Sequence, residues 1–130
     1  MVPPVLRQRV EELTDLVLRD PARAREVLLD ELLDRVTLLL GMTPAEHAEL
    51  RPRFGPTPLN LLGLDSLLTI RLRGRILADY AADVPPDFLV GGGTAAAVVE
   101  LICQQLAIRS VLAADDGELL DAEETEVLTL

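Results

Sequence analysis

The stretch Leu59-Asn60-Leu61-Leu62-Gly63-Leu64-Asp65-Ser66-Leu67 sets an aspartate and a serine together where an apolar loop gives way to a helix. From Ser66 to about Tyr80 the apolar residues recur at helical spacing, with Asp65 as N-cap. Thr69, Leu72 and Ile76 fall on the inward face, and Leu67 and Ile70 lie nearer the surface. Such a junction offers a hydroxyl on an otherwise rigid element. The free backbone N–H groups and the positive end of the helix dipole there favour a phosphate carried on Ser66.

Working outward, five helical segments and two loops emerge. Leu6, Val10, Leu13 and Val17 predict an amphipathic lead-in helix over residues 4 to 19. Asp20-Pro21 punctuates it and opens a helix to about Leu40, since Asp caps well and Pro is tolerated at the first helical position. Leu28, Leu32, Val36 and Leu39 line one face of that helix, Leu29, Leu33 and Leu40 widen the stripe, and Gly41 supplies a C-terminal stop. Residues 42 to 64 read as a long loop, because Pro44, Pro52, Pro56 and Pro58 oppose a continuous helix, with Thr43-Pro44-Ala45-Glu46 capping one short turn. A short helix fits Pro86 to Val90. Gly91-Gly92-Gly93 then reads as a flexible corner, and Thr94 caps a last helix, Ala95 to Ala107, with Val98, Leu101, Ile102 and Leu106 on its core face.

Composition sets the class. Hydrophobic residues make up 49% of the 130-residue chain and aromatics only 2%, so the core is aliphatic, which favours a small all-α bundle over a sheet. No apolar run is expected to approach the roughly eighteen residues a membrane span needs, and Met1-Val2-Pro3-Pro4-Val5-Leu6-Arg7 lacks a signal peptide's hydrophobic stretch. The expected location is the cytoplasm. A lone cysteine, Cys103, and a lone histidine, His47, leave no internal disulfide and no plausible zinc site. Cys103 reads as a semi-buried packing residue and His47 as an exposed loop residue. From Ser110 onward there are seven acids and no base, whereas residues 1–109 set 15 acids against 12 arginines. The body is thus close to neutral, and nucleic-acid binding is not expected.

An apolar residue followed three positions later by Leu-Gly and then Asp-Ser-Leu appears here as Leu59, Leu62, Gly63, Asp65, Ser66 and Leu67. With Leu72, Arg73 and Arg75 in a Leu-Arg-x-Arg pattern, Thr94 opening the last helix, and Leu40-Gly41 closing an earlier one, residues 22 to 107 resemble the acyl carrier domains of modular polyketide synthases. The resemblance implies a four-helix carrier bundle of three main helices and one short one, spanning residues 21–108. A lead-in helix or linker (1–20) would precede it and a disordered acidic tail (109–130) would follow. It implies 4'-phosphopantetheine on Ser66, placed there by a phosphopantetheinyl transferase whose magnesium Asp65 helps to organise. The carrier itself would be non-catalytic. It would hold acyl or polyketide intermediates as thioesters for ketosynthase, acyltransferase and other synthase domains, as in antibiotic biosynthesis. Leu64, Leu67, Leu68, Ile70 and Arg71 form the expected partner-facing patch.

The chain departs from the family pattern in places. Leu59 replaces the usual phenylalanine. Arg71 stands where related carriers often have glutamate, and Leu68 where a polar residue is common, so the recognition face is less acidic than the net charge suggests. Gly91-Gly92-Gly93 replaces a Phe-Asp-His-Pro type of stretch, which would loosen the short helix. Leu72 stands where carriers that undergo β-branching have tryptophan, so that modification is not expected.

Other readings are weaker. An Asp-Ser pair before a helix is often only a cap. The three glycines are followed by no Lys and preceded by no strand, so no P-loop is present. Gly63-Leu64-Asp65-Ser66-Leu67 superficially matches Gly-Asp-Ser-Leu hydrolases, but the sole histidine lies upstream of the serine and nothing is placed to activate it. A peptidyl carrier of a nonribosomal peptide synthetase, or an unmodified helical adaptor, are the alternatives. The acidic tail is expected to stay solvated. Its end, with Glu124, Glu126, Val127, Leu128 and Leu130, resembles short linear docking motifs captured as a strand by a β-hairpin docking domain on a downstream subunit.

Overall fold

The structure, a computed structural model, describes residues 4–123, and the side chains of residues 8–112. The chain is all-α: α1 (Pro4–Arg19), α2 (Pro21–Leu40), α3 (Pro44–Leu50), α4 (Ser66–Tyr80), α5 (Pro86–Val90) and α6 (Ala95–Glu123). Two 3₁₀ turns, Arg51–Arg53 and Leu59–Leu62, lie between α3 and α4. Among the described residues the sole β-type pairing is an isolated bridge between Pro58 and Thr94.

The single residue Asp20 reverses the chain between α1 and α2. Its side chain accepts from the Arg23 N–H, and Pro21 begins α2 where a missing amide is harmless. Arg9 and Glu31, eleven residues before and after Asp20, therefore meet in an ion pair across the hairpin. At its far end α2 stops at Gly41, whose φ of 70° is in the left-handed region and whose N–H returns to the last turn. α6 runs antiparallel to α2: Arg25 pairs with Glu100, while Leu29 and Ala96 both flank Gly55.

One core joins these helices. Leu28, Leu32, Leu33 and Val36 of α2 pack with Leu72, Ile76 and Tyr80 of α4 and with Val98, Val99, Ile102 and Leu106 of α6. Leu39 and Leu101, expected on core faces, are only partly buried. The lead-in helix belongs to this core: Leu13 is 2% exposed, and α1 packs on α2, α4 and α6.

Four expectations are corrected. The loop over 42–64 is more ordered than its prolines suggested, because Pro44 occupies the first turn of α3 and Pro52 lies in a 3₁₀ turn, positions where proline starts a helix rather than breaking it. The predicted Thr43 cap is there as a full capping box with Glu46. His47 sits half-buried on α3, its Nε2 2.8 Å from Asp34 Oδ1, instead of exposed in a loop. The last helix does not stop near Ala107 but continues to Glu123, so the first part of the expected disordered tail is helical. That segment sets three Leu, three Ala and two Glu, all good helix formers, against Gly117 and three Asp.

The fourth concerns apolar length. The window Ala95–Leu112 within α6 is long and apolar enough to cross a membrane on those criteria alone, contrary to the expectation from the sequence. Its Ala95, Val98, Val99, Ile102, Cys103 and Leu106 are instead buried against the other helices, and Glu100 pairs with Arg25. Apolar content here serves a core.

Candidate functional site: the loop-to-helix junction at Ser66

The junction is built by two buried anchors and one turn. Leu59 is fully buried and holds the 3₁₀ turn to the core. Gly63 then takes φ 102°, a conformation that L side chains rarely adopt. This turn directs Leu64 inward, where it is 8% exposed, so Leu64 is an anchor of the junction and not part of a partner-facing patch.

Asp65 follows in an extended conformation and caps α4. Its Oδ1 accepts from the Leu68 N–H at 2.9 Å, and its carbonyl accepts from the Thr69 N–H at 2.9 Å. Ser66 is thereby the first residue of α4, and it is exposed. The amides of Ser66 and Leu67 precede the first intrahelical bond and stay at the open end of the helix. Leu67 and Ile70, 55% and 61% exposed, and the exposed Arg71 share the outer side of α4 with Ser66 by helical spacing. Leu68 is half-buried against the core and contributes less to that side than expected.

The Leu-Arg-x-Arg stretch has three distinct structural tasks. Leu72 is fully buried. Arg73 donates from Nε to the Val84 carbonyl and from Nη2 to Asp83, which pins the connector between α4 and α5. Gln105 of α6 completes that fixing, accepting from the Asp83 N–H at 2.8 Å and donating to the Asp83 carbonyl at 2.6 Å. Arg75 lies 3.8 Å from Asp79. The sequence signal for this role of Gln105 is a polar residue on the inner edge of an apolar helix.

A second wall is formed by α5 and the glycine corner. Asn60 Nδ2 donates to the Val90 carbonyl at 3.2 Å and ties the 3₁₀ turn before Ser66 to the end of α5. The three glycines are not a loose hinge. A Cβ on Gly93 would lie 2.5 Å from the Phe88 carbonyl oxygen and 2.8 Å from the Phe88 ring, and one on Gly91 would lie 2.6 Å from the Asp87 carbonyl oxygen. Gly91 and Gly93 donate to the Asp87 and Phe88 carbonyls, closing α5 tightly. Thr94 Oγ1 then accepts from the Ala97 N–H at 3.1 Å, and the Thr57 and Gly55 carbonyls accept from Ala95 and Ala96. The start of α6 is thus stitched to the loop that leads to Ser66.

Elsewhere the titratable groups are structural. Cys103 is buried, and burial pushes its thiol up, away from the reactive thiolate. Among the described residues no cluster of three or more His, Cys, Asp or Glu side chains is arranged to hold a metal. The docking residues expected at Glu124, Glu126, Val127, Leu128 and Leu130 lie outside the described residues.

The exposed hydroxyl of Ser66, with no protein partner among the described residues and with helix-start amides beside it, fits the attachment of a phosphodiester. Asp65 holds the turn in place. Comparisons with known proteins agree with that chemistry. A family profile described as phosphopantetheine attachment site matches residues 31–102. Ser66 is the only serine in that range, the chain's other serine being Ser110. The chain is 36% identical over 69 residues to a 5-methyl-1-naphthoate synthase of Streptomyces sahachiroi, a match covering 53% of this chain and 3% of that protein. It is 28% identical over 89 residues to one of the phenolphthiocerol/phthiocerol polyketide synthase subunits of Mycobacterium tuberculosis (strain CDC 1551 / Oshkosh), covering 68% of this chain and 5% of that protein. A phenolphthiocerol/phthiocerol polyketide synthase protein from strain ATCC 25618 / H37Rv of the same species matches equally, at 28% over 89 residues. The chain therefore spans only a small part of the length of these relatives. No solved structure gives a significant match.

Proposed function

The chain belongs to the phosphopantetheine attachment site family, and from that premise we propose that it is the acyl carrier of a polyketide synthase, with Ser66 as its attachment residue. The observation that carries this reading is the position of Ser66: the sole serine of the matched region stands exposed at the first turn of α4. When attached, 4'-phosphopantetheine supplies a terminal thiol that takes acyl groups as thioesters.

Everything else falls to the chain's own residues. Ser66 offers the hydroxyl to a phosphopantetheinyl transferase, and Asp65, whose Oδ1 is committed to the Leu68 amide, keeps its second oxygen for the transferase's magnesium. The core formed by α1, α2, α4 and α6 holds that hydroxyl on a rigid platform. Tethering replaces diffusion with a high effective concentration at each partner's active site. Leu67, Ile70 and Arg71, with a lesser share from Leu68, are the surface offered to ketosynthase, acyltransferase and other synthase domains, and the chain would act in the cytoplasm with its synthase. Relatives that are polyketide synthase subunits favour an acyl over a peptidyl cargo.

A second proposal concerns the C-terminus, where Glu124, Glu126, Val127, Leu128 and Leu130 would add as a strand to a β-hairpin docking domain of the next subunit. The acidic, apolar character of that segment supports it. A titration against the downstream subunit with and without residues 118 to 130 decides it, since unchanged affinity would discard the motif. The carrier reading itself is tested by presenting the phosphopantetheinylated chain with an acyltransferase domain and acyl-coenzyme A. The expected product carries a hydroxylamine-labile acyl mass, and its absence in a phosphopantetheinylated chain would remove the acyl assignment.

A further inference from the structure

The short helix α5 packs against both α4 and the 3₁₀ turn Leu59–Leu62. With five residues and no side-chain cap at its start, it is too short to hold itself together. Its anchors therefore come from outside. Leu89 is buried in the core, and the Gly91 and Gly93 amides return to the Asp87 and Phe88 carbonyls. That closure leaves the Val90 carbonyl, one of the last acceptors of the helix, with no partner from α5 itself.

Asn60 supplies the partner from 30 residues away, its Nδ2 donating to the Val90 carbonyl at 3.2 Å. Its neighbours act in the same direction. The Leu59 N–H donates to the Gly93 carbonyl at 3.0 Å, and Pro58 bridges to Thr94. Pro58, Leu59 and Asn60 thus clamp the segment from Val90 to Thr94, and the Asn60 bond is the one made by a side chain. Asparagine in a turn commonly bonds its own backbone nearby, whereas this one reaches another element. Asn60 is exposed, so core packing does not account for it.

Its place in the chain gives the clamp a consequence for the serine. Between Asn60 and Ser66, Gly63 makes the left-handed turn, Leu64 anchors in the core and Asp65 caps α4. The placement of the 3₁₀ turn is passed to Ser66 along that short, constrained path. We propose that Asn60 is a positioning residue for the loading of Ser66: by tying the turn to the end of α5, it keeps the serine in the arrangement a phosphopantetheinyl transferase accepts. The proposal rests on the carrier reading above and adds to it a residue outside the Asp65-Ser66 pair. Loading joins Ser66 Oγ to the phosphorus of the phosphopantetheinyl group and breaks the pyrophosphate bond of coenzyme A. Adenosine 3',5'-bisphosphate leaves, and the hydroxyl proton passes to the transferase. Asn60 takes no part in that exchange. It sets the fraction of chains in the competent arrangement, so its loss raises KM for the carrier and leaves kcat.

The test loads wild type, Asn60→Ala and Asn60→Leu with a phosphopantetheinyl transferase over a range of carrier concentrations, and follows amide hydrogen exchange of each unloaded chain by NMR. Both substitutions remove the donor, and leucine keeps the bulk of the side chain. Each variant is expected to show KM raised about fivefold with kcat within about twofold of wild type. The Leu59 amide should exchange about fivefold faster, while core amides of α2 and α6 keep their wild-type rates. Leu13→Ala, which weakens the core without touching the clamp, should keep the wild-type KM well below its melting temperature. Unchanged KM in either Asn60 variant overturns the inference and leaves the carrier assignment intact. A raised KM with Leu59 exchange unchanged also overturns it, since Asn60 would then be a direct contact of the transferase. An equal rise in Leu13→Ala does so too, because general stability would then explain the effect. Failure of wild type to load removes the carrier reading, and this inference with it.

Discussion

The Tyr80 hydroxyl donates a hydrogen bond to Glu31 Oε1 at 2.6 Å, joining the end of α4 to the middle of α2. Arg9 of α1 reaches the other oxygen of Glu31, and the Arg35 guanidinium lies 5.0 Å from the centre of the Tyr80 ring while bonding Asp79 at 2.7 Å. Burial, reinforced by the bond to Glu31, pushes the Tyr80 hydroxyl far above the ordinary phenol range, so it remains a donor. Burial opposes the charge on Arg35, but the bond to Asp79 and the nearby acids more than offset it. Three helices are fastened by one satisfied polar network.

Tyr80→Phe should therefore lower stability by about 2 kcal/mol, the scale of a hydrogen bond to a charged acceptor. Urea unfolding followed by circular dichroism measures this. A midpoint equal to wild type would show that Glu31 is fully served by its arginines.

Leu13→Ala tests whether α1 is a linker or a structural helix. With Leu13 buried in the common core, the loss should be about 3 kcal/mol, as for other leucine truncations that leave a cavity. A linker residue would cost under about 0.5 kcal/mol in the same urea titration.

Two glycines should respond in opposite directions to the same added methyl. Gly93→Ala forces a Cβ to 2.5 Å from the Phe88 carbonyl oxygen and should destabilise by about 1–3 kcal/mol. Gly74→Ala adds its methyl to open space in a helix and should stabilise by about 0.5–1 kcal/mol. Paired thermal melts decide it, and a stable Gly93→Ala would restore the picture of a flexible corner.

These contrasts show where sequence reading reached and where it stopped. α1, α2 and α4 were legible to the residue because their ends carry local chemistry: Asp20 with Pro21, Gly41 and Asp65. The prolines of the loop were misjudged, since a proline that opens a turn and one that breaks a helix look alike until the hydrogen-bond pattern is known. Leu64 follows Leu61 and Leu62 in an apolar run, and only the left-handed turn at Gly63 decides which of the three enters the core: Leu61 remains 73% exposed. The glycine corner read as loose because close contacts between carbonyls and absent side chains leave no mark in composition. The end of α6 was missed because acidity signals solvation and says little about helix formation when the intervening residues are Leu and Ala.

Acidification should weaken the clasp between α2 and α6. The bond from Arg25, aided by its charge and opposed by slight burial, holds the Glu100 carboxyl below its ordinary value. A carboxyl depressed in the folded state contributes its stability above the unfolded pKa, near about 4.3, and loses it as pH falls through the folded value. Arg25→Gln should therefore lower the melting temperature at pH 7 and converge with wild type as the pH falls below the folded value of Glu100. Parallel curves across that range would contradict the assignment.

Attachment at Ser66 is tested by intact-protein mass after incubation with coenzyme A, magnesium and a promiscuous phosphopantetheinyl transferase, beside Ser66→Ala. Wild type should gain one phosphopantetheinyl group and the variant none, with both proteins equally helical. A folded wild type that gains nothing, or a Ser66→Ala that still gains the group, would contradict it.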